Sequence, residues 1–172
     1  MITSESLIQV KAFARQDGMY LSLVWLASMW LTFQATQSSW GPMLALCTPF
    51  FVAWRLQSFR DYALDGLISF RRGLMFACYV FFYASLIFAV GQFVYFKYLD
   101  GGLFMQTLTD NVEVLKPLYK EQGVNVENLD LALKTIGLMK PVDLTFTFMM
   151  YNISVGAFLS PIISLFCKKS KK

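Results

Sequence analysis

The longest stretch without an acidic or basic residue runs from Gly18 to Trp54 and covers 37 residues. A helix rises about 1.5 Å per residue and the hydrocarbon core of a bilayer is about 30 Å thick, so one crossing needs about 20 residues. The stretch is too long for one span and therefore predicts two spans that fold back on each other. Polar residues and a Gly-Pro pair in 34–42 mark the turn between them. This places the first two spans at about 18–36 and 42–57.

The second predicted span is short, and Pro49 lies inside it. Trp40 and Trp54 bracket the segment in the manner of the aromatic belts found at membrane surfaces. Arg55 follows directly and can extend its head group to the interface. These features favour a full crossing, with a tilted or re-entrant segment as the alternative.

Two further uncharged runs, Gly73–Phe96 and Leu144–Cys167, each contain 24 residues, enough to cross a bilayer with some tilt. They place the third span at 70–96 and the fourth at 144–167. The expected fold class is an all-α integral membrane protein with four transmembrane helices in a single domain over 1–172. A secretion signal is the alternative for the first span, but this segment lacks a small-residue cleavage site and leads into a second apolar segment.

Basic residues are divided unequally between the two sides that four spans define. The side with both termini has ten basic and four acidic residues, whereas the other side has five basic and seven acidic residues. The positive-inside rule therefore makes both termini cytoplasmic and places 97–143 outside, as expected for a bacterial cytoplasmic (inner) membrane. We expect the lysine-rich C-terminus to anchor this topology, with binding of anionic lipid head groups as the alternative.

Apolar residues outside the spans recur at helical intervals. In 1–17 they predict a short interfacial helix that leads into the first span. In 97–143 they predict two amphipathic helices, one ended by Gly123 and the next capped by Asn125. We expect this external pair to form a structural cap, with a partner-binding or gating surface as the alternative. Ser69 is expected to cap the helix of the third span.

A set of short motifs in a fixed order carries a family resemblance. The motifs are Arg60-Asp61, Asp65-Gly66-Leu67-Ile68-Ser69-Phe70, Gly73, Tyr95-Phe96-Lys97-Tyr98, Glu121-Gln122-Gly123 and the terminal lysines. In these features, over nearly the whole chain, the sequence resembles the membrane family known as domain of unknown function 4199. The resemblance implies no particular activity, cofactor or catalytic residue. It suggests a lipid-linked sugar transferase as one class of partner.

The sequence offers few groups that could perform catalysis. It contains no histidine, which excludes a Ser-His-Asp triad, a Cys-His dyad and a His-ligated zinc site. Charged residues make up 15%, against about 25% in an ordinary soluble domain, and they form no basic nucleic-acid-binding face. Cys47, Cys78 and Cys167 are widely spaced, as expected of apolar packing residues. We therefore expect no catalytic residue, cofactor, metal or nucleic-acid partner.

One side of the fourth span carries small or polar residues at every fourth position, namely Asn152, Gly156, Ser160 and Ser164. Such a stripe lets helices approach closely and form hydrogen bonds across their contact. We interpret it as a helix-packing surface, with a polar substrate path as the alternative. The second span carries a similar row, namely Gly41, Ala45, Pro49 and Ala53. We expect both rows to contact neighbouring helices.

Basic residues are densest at the cytoplasmic ends of the second and third spans, at Arg55, Arg60, Arg71 and Arg72. Arginine forks match phosphate geometry, so one hypothesis is a face that binds lipid head groups or the phosphate of a partner. The other is a topology determinant with surface ion pairs.

The overall expectation is a small noncatalytic membrane protein, an accessory or scaffold in an envelope or lipid-linked process. Its expected partners are the lipid bilayer and either a second copy of the chain or another membrane protein. The alternative is an oligomeric transporter or facilitator of a small solute or lipid. A transporter requires a continuous polar cavity that reaches one face, whereas a scaffold is compatible with a packed, Phe-rich interior.

Overall fold

A computed structural model describes residues 4–34, 40–123 and 126–169, which form seven α-helices and one π-helical turn and contain no named strand. The predicted all-helical class is thereby confirmed. The helices are α1 (Ser4–Gln34), α2 (Trp40–Leu46), α3 (Thr48–Ala63), α4 (Phe70–Val94), α5 (Leu103–Glu121), α6 (Glu127–Gly137) and α7 (Pro141–Cys167). The π-helical turn, Tyr95–Leu99, continues α4.

Helix α4 is the centre of the bundle, because α1 and α7 both pack along it. Helix α3 contacts all three of these helices, α1, α4 and α7. Phe76 and Phe81 of α4 are buried together with Leu21 of α1 and Leu56 of α3. The core is therefore built around α4, which has no charged residue from Gly73 onward.

Two helices in the described part of the chain are long and apolar enough to cross a membrane. They are Phe70–Leu99, with 30 residues, and Pro141–Cys167, with 27 residues. These helices coincide with the predicted third and fourth spans. Helix α1 carries charged residues throughout its first half, which shortens its apolar part. The arrangement of four spans and its orientation stay predictions.

The predicted second span, 42–57, is not one helix, because the chain divides it into α2 and α3 at Cys47. Pro49 lies in the first turn of α3, where its missing N–H is not needed. In a continuous helix its ring would clash with the carbonyl group four residues earlier. The proline therefore lies at the start of a new helix instead of inside a continuous one.

The predicted interfacial helix in 1–17 is instead the first half of the continuous helix α1. Val10 and Ala14 are buried in the core, and the Phe13 ring packs on the Phe59 ring with centroids 5.2 Å apart. The amphipathic pattern of this segment thus reflects packing against protein.

The two amphipathic helices predicted in 97–143 are present as α5 and α6, which Lys116 and Asp130 join by a salt bridge of 2.8 Å. This contact raises the pKa of the Lys116 ammonium group above its ordinary value. Gly123 follows α5 with a φ of 71°, as expected of a helix-ending glycine. The predicted cap at Asn125, the middle of the predicted turn in 34–42 and the last three residues lie outside the described residues.

The expected helix cap at Ser69 is confirmed, because its Oγ accepts a hydrogen bond from the backbone N–H of Arg72 at 3.4 Å. Next to it, Ile68 and Lys169 exchange two backbone hydrogen bonds of 2.9 and 3.1 Å. This bridge joins the segment after α7 to the start of α4.

Candidate functional site

The small-residue stripe of α7 lies mainly against α4. Gly156 is buried, and a Cβ atom added there would lie 2.5 Å from the Cβ of Phe81, so only glycine permits this approach. Ser160 is buried and donates a hydrogen bond to the Gly156 carbonyl at 2.6 Å. Ser164 donates to the Phe70 carbonyl of α4 at 2.7 Å. The structure thus places three of the four stripe residues in the contact between α4 and α7.

The row on the predicted second span is divided between several contacts. Gly41 packs against Thr32 of α1, and its carbonyl accepts a hydrogen bond from Ser28 Oγ at 2.6 Å. Ala45 and Pro49 line a cavity. The Ala53 carbonyl accepts from the Cys167 thiol at 3.7 Å. These residues therefore do not form a single packing surface.

An ion pair between a buried carboxylate and a half-buried guanidinium joins α1 to α3. Asp17 is buried, and the Arg55 Nε donates to its carboxylate at 2.7 Å. The Arg55 guanidinium also lies over the rings of Tyr20 and Trp54, at 5.8 and 5.5 Å from their centroids. Gly18, next to Asp17, packs against the middle of α4. The pair thus lies beside the middle of α4 and away from its charged end.

This pairing separates Arg55 from the other arginines of the predicted phosphate-binding face. Sequence reasoning missed it because Asp17 and Arg55 directly flank the long uncharged stretch and were both assigned to the membrane surface. Their positions at the two ends of a stretch that folds back on itself were the available signal. A hairpin brings its two ends together, so opposite charges there are candidates for an ion pair.

Arg60 and Arg72 hold elements of the fold together. Arg60 forms hydrogen bonds of 2.7 and 3.1 Å with the Asp61 carboxylate and one of 3.2 Å with the Cys167 carbonyl. The Arg60 guanidinium lowers the pKa of the Asp61 carboxyl below its usual range. Arg72 donates to the Gln9 side-chain carbonyl at 2.6 Å. Both arginines are therefore already engaged within the bundle.

Arg71 is exposed, and no hydrogen bond or ion pair of its side chain is present among the described residues. The bridge between Ile68 and Lys169 brings the exposed Lys168 and Lys169 to the same end of the molecule. We call this surface, Arg71 with Lys168 and Lys169, the basic end. Of the four predicted arginines, Arg71 alone belongs to this surface.

A cavity of about 410 Å³ lies between α1, α2, α3, α4 and α7. Aromatic side chains from α1 and α4, including Trp25, form one wall. Thr48, at the start of α3, accepts a hydrogen bond from Trp25 Nε1 at 2.9 Å. Asn152, the fourth residue of the predicted stripe, is half-buried and lines the cavity. The stripe therefore ends at this cavity.

The structure defines an all-helical bundle in which two helices are apolar and long enough to span a membrane. The chain belongs to the family described as Protein of unknown function (DUF4199), whose model matches residues 16–169. The family membership expected from the motifs is thereby confirmed. No curated protein matches the chain, and no solved structure matches it either.

Proposed function

We propose that the protein is an integral membrane protein with four membrane-crossing segments, in a bacterial cytoplasmic membrane. The distribution of side-chain size on α7 carries this proposal. Gly156 and Ser160 are buried, whereas Phe158 and Phe166 are 80% and 85% exposed. In a bilayer, small residues let helices approach and large apolar residues face the lipid. In water, an extended apolar surface of this kind is unfavourable.

Large apolar side chains are exposed on the other helices of the bundle as well. They include Val90 on α4, Leu23 on α1 and Phe50 on α3. An apolar surface shared by these helices supports the crossing of the membrane by α1 and by the α2–α3 segment. The basic end, together with the positive-inside rule, supports the placement of both termini in the cytoplasm.

Within the membrane we propose a noncatalytic accessory or scaffold role in an envelope or lipid-linked process. The walls of the cavity are mainly apolar, and its hydroxyl groups on Ser28 and Thr48 are already hydrogen-bonded. A path for a polar solute needs polar walls, so this cavity favours the scaffold over the transport of a polar small solute.

We propose the external helices as the surface for a protein partner, with a lipid-linked sugar transferase as the class that the family resemblance suggests. Val114 and Leu118 of α5 and Leu131 of α6 are exposed. Exposed apolar patches on a folded hairpin are typical of protein contacts. A second copy of the chain is the alternative membrane-protein partner for this surface.

Single-cysteine labelling tests the proposed topology. The three native cysteines, Cys47, Cys78 and Cys167, are replaced by alanine, and Lys120→Cys or Lys169→Cys is added. A membrane-impermeant maleimide should label intact cells at position 120 and should label position 169 after the membrane is permeabilised. Labelling of both positions in intact cells would contradict the topology.

Mild crosslinking in native membranes, followed by purification and mass spectrometry, tests the scaffold role. We expect one membrane protein, or a second copy of the chain, to crosslink in a defined ratio. The pair of changes Val114→Asn and Leu131→Asn should remove this product, whereas the exposed control Asn111→Ala should retain it. The scaffold proposal fails if no protein crosslinks in a defined ratio.

A further inference from the structure

The cavity is closed at the back and open at the break between α2 and α3. Trp25 and Phe88 form part of the back wall, and both are buried. Leu46, the last residue of α2, also lines the cavity but is exposed. The mouth therefore lies on the outer surface of the bundle, where α2 ends and α3 begins.

The mouth lies near mid-height of the two most apolar helices. Phe81, in the middle of α4, lines the cavity and contacts Gly156 near the middle of α7. The surrounding surface carries exposed apolar side chains such as Phe50. In the proposed membrane location, the medium at this height is the hydrocarbon of the lipid chains.

Apart from the half-buried Asn152 amide, the lining has the chemistry of a site for an apolar ligand. Met29, Val155 and Leu159 add aliphatic groups to the aromatic back wall. The Thr48 hydroxyl already accepts from the Trp25 indole, and Ser28 donates to the Gly41 carbonyl. The volume, about 410 Å³, lies within the range of about 300–1,000 Å³ that is typical of ligand pockets.

We propose that this cavity binds the hydrocarbon chain of a membrane lipid, an inference that rests on the proposed membrane location. A lipid hydrocarbon chain that enters between Leu46 and the α7 wall contacts the Trp25 and Phe88 rings. It fills space in which the dispersion contacts of these rings are otherwise lost. Lipid is the solvent at the mouth, so mass action fills the cavity even at weak affinity. A second copy of the protein, the other conceivable occupant, is far less concentrated in the membrane than lipid is.

Tryptophan fluorescence in vesicles tests the occupant directly. The changes Trp30→Phe, Trp40→Phe and Trp54→Phe leave Trp25 as the one indole, and it is 9% exposed. The variant is reconstituted in phosphatidylcholine whose acyl chains carry bromine near their midpoint, because bromine quenches an indole that it touches. We expect about a twofold loss of Trp25 emission, because a brominated chain bound in the cavity is buried against its walls and touches the indole.

A second reconstituted variant retains Trp30 in place of Trp25 and reports contact with bulk lipid, because Trp30 is 49% exposed. If neither indole is quenched, the membrane location is wrong and the inference falls with it. If Trp30 is quenched and Trp25 is not, the cavity inference is wrong and the membrane location stands. Strong quenching of Trp25 by aqueous acrylamide would also overturn the inference, because the cavity would then hold water.

A matched pair of alanine-to-phenylalanine variants, one that fills the cavity and one outside it, tests whether the lipid chain occupies the cavity. Ala45→Phe, on the lining, should restore most of the Trp25 emission, whereas Ala27→Phe, on the exposed face of α1 outside the lining, should not. Val155→Phe fills the same space from the α7 wall and serves if Ala45→Phe fails to fold. Unchanged quenching in the filled variants would overturn the inference.

Discussion

Among single residues, Asp17 is a charged group whose burial must be offset by its neighbours, and Arg55 provides the opposite charge. A buried carboxylate is tolerated because a guanidinium group lies 2.7 Å from it and aromatic rings lie over that group. The pair joins α1 to α3 at the height of the α4 midpoint. It therefore joins the two helices at one point, together with the Trp25–Thr48 hydrogen bond and the Phe13–Phe59 ring contact.

Asp17→Leu should lower the free energy of unfolding by about 1–3 kcal/mol, because it leaves the half-buried Arg55 guanidinium without its partner. The double change Asp17→Leu with Arg55→Met should recover most of this loss, because no uncompensated charge remains. Thermal unfolding of the purified protein in detergent measures both. Equal losses in the single and double variants would show that the pair carries no special role.

Tyr95 is buried, and its hydroxyl group has no hydrogen-bond partner among the described residues. Its ring stacks on Phe33 with centroids 5.3 Å apart. Tyr95→Phe should raise the free energy of unfolding by about 1 kcal/mol, because it removes an unpaired polar atom and keeps the ring. Tyr95→Leu should lower it by about 1 kcal/mol, because the stacking is lost. A destabilised Tyr95→Phe variant would reveal a partner for the hydroxyl.

At the scale of helices, the contact between α4 and α7 shows how small residues set the distance between two apolar elements. Gly156 brings the α7 backbone against Phe81, and Ser164 donates to the α4 backbone. A larger residue at Gly156 would push the helices apart along the contact and break that hydrogen bond. The neighbouring Ala157 is exposed and offers a control of the same helix.

Gly156→Leu should lower the free energy of unfolding by about 1–3 kcal/mol or more, because overpacked side chains force the backbones apart. Ala157→Leu adds a side chain to the outer surface and should leave the melting temperature in detergent almost unchanged. The packing role of the stripe is refuted if the two variants melt together with the unaltered protein.

For the molecule as a whole, the sequence predicted elements whose signals are local. The uncharged runs indicated α4 and α7, Ser69 indicated a helix start, and Gly123 indicated a helix end. The ion pair of Asp17 with Arg55 is not a local signal. It follows only when the uncharged stretch between the two residues is predicted to fold back on itself, because that brings its two ends together.

The candidate sites divide along the same line. The i to i+4 spacing identified the α7 stripe, because helical periodicity is local. The arginine face was only partly predictable, since Arg60 and Arg72 are engaged by Cys167 and Gln9 from distant segments. Pro49 was the sequence signal for the break at Cys47. Trp40 and Trp54, which bracket the segment, favoured one continuous span instead.

The basic end gives a prediction for the whole molecule, because it concentrates charge on one side. Arg71→Gln removes an exposed charge without a packing role, and each basic residue near an anionic surface contributes about 1 kcal/mol. The purified variant should retain about fivefold less anionic lipid at low salt, and the difference should vanish at high salt. Lys120→Gln, on α5, is the control and should retain the normal amount. Equal retention by both variants would contradict a lipid-binding basic end.

The backbone bridge between Ile68 and Lys169 has a consequence for the order in which the chain assembles during synthesis. Helix α4 is translated long before Lys169, so the N–H and C=O groups of Ile68 are first without this partner. They can pair with Lys169 only once the residues beyond α7 have been synthesised. This end of the bundle is therefore completed last, after translation has passed Lys169.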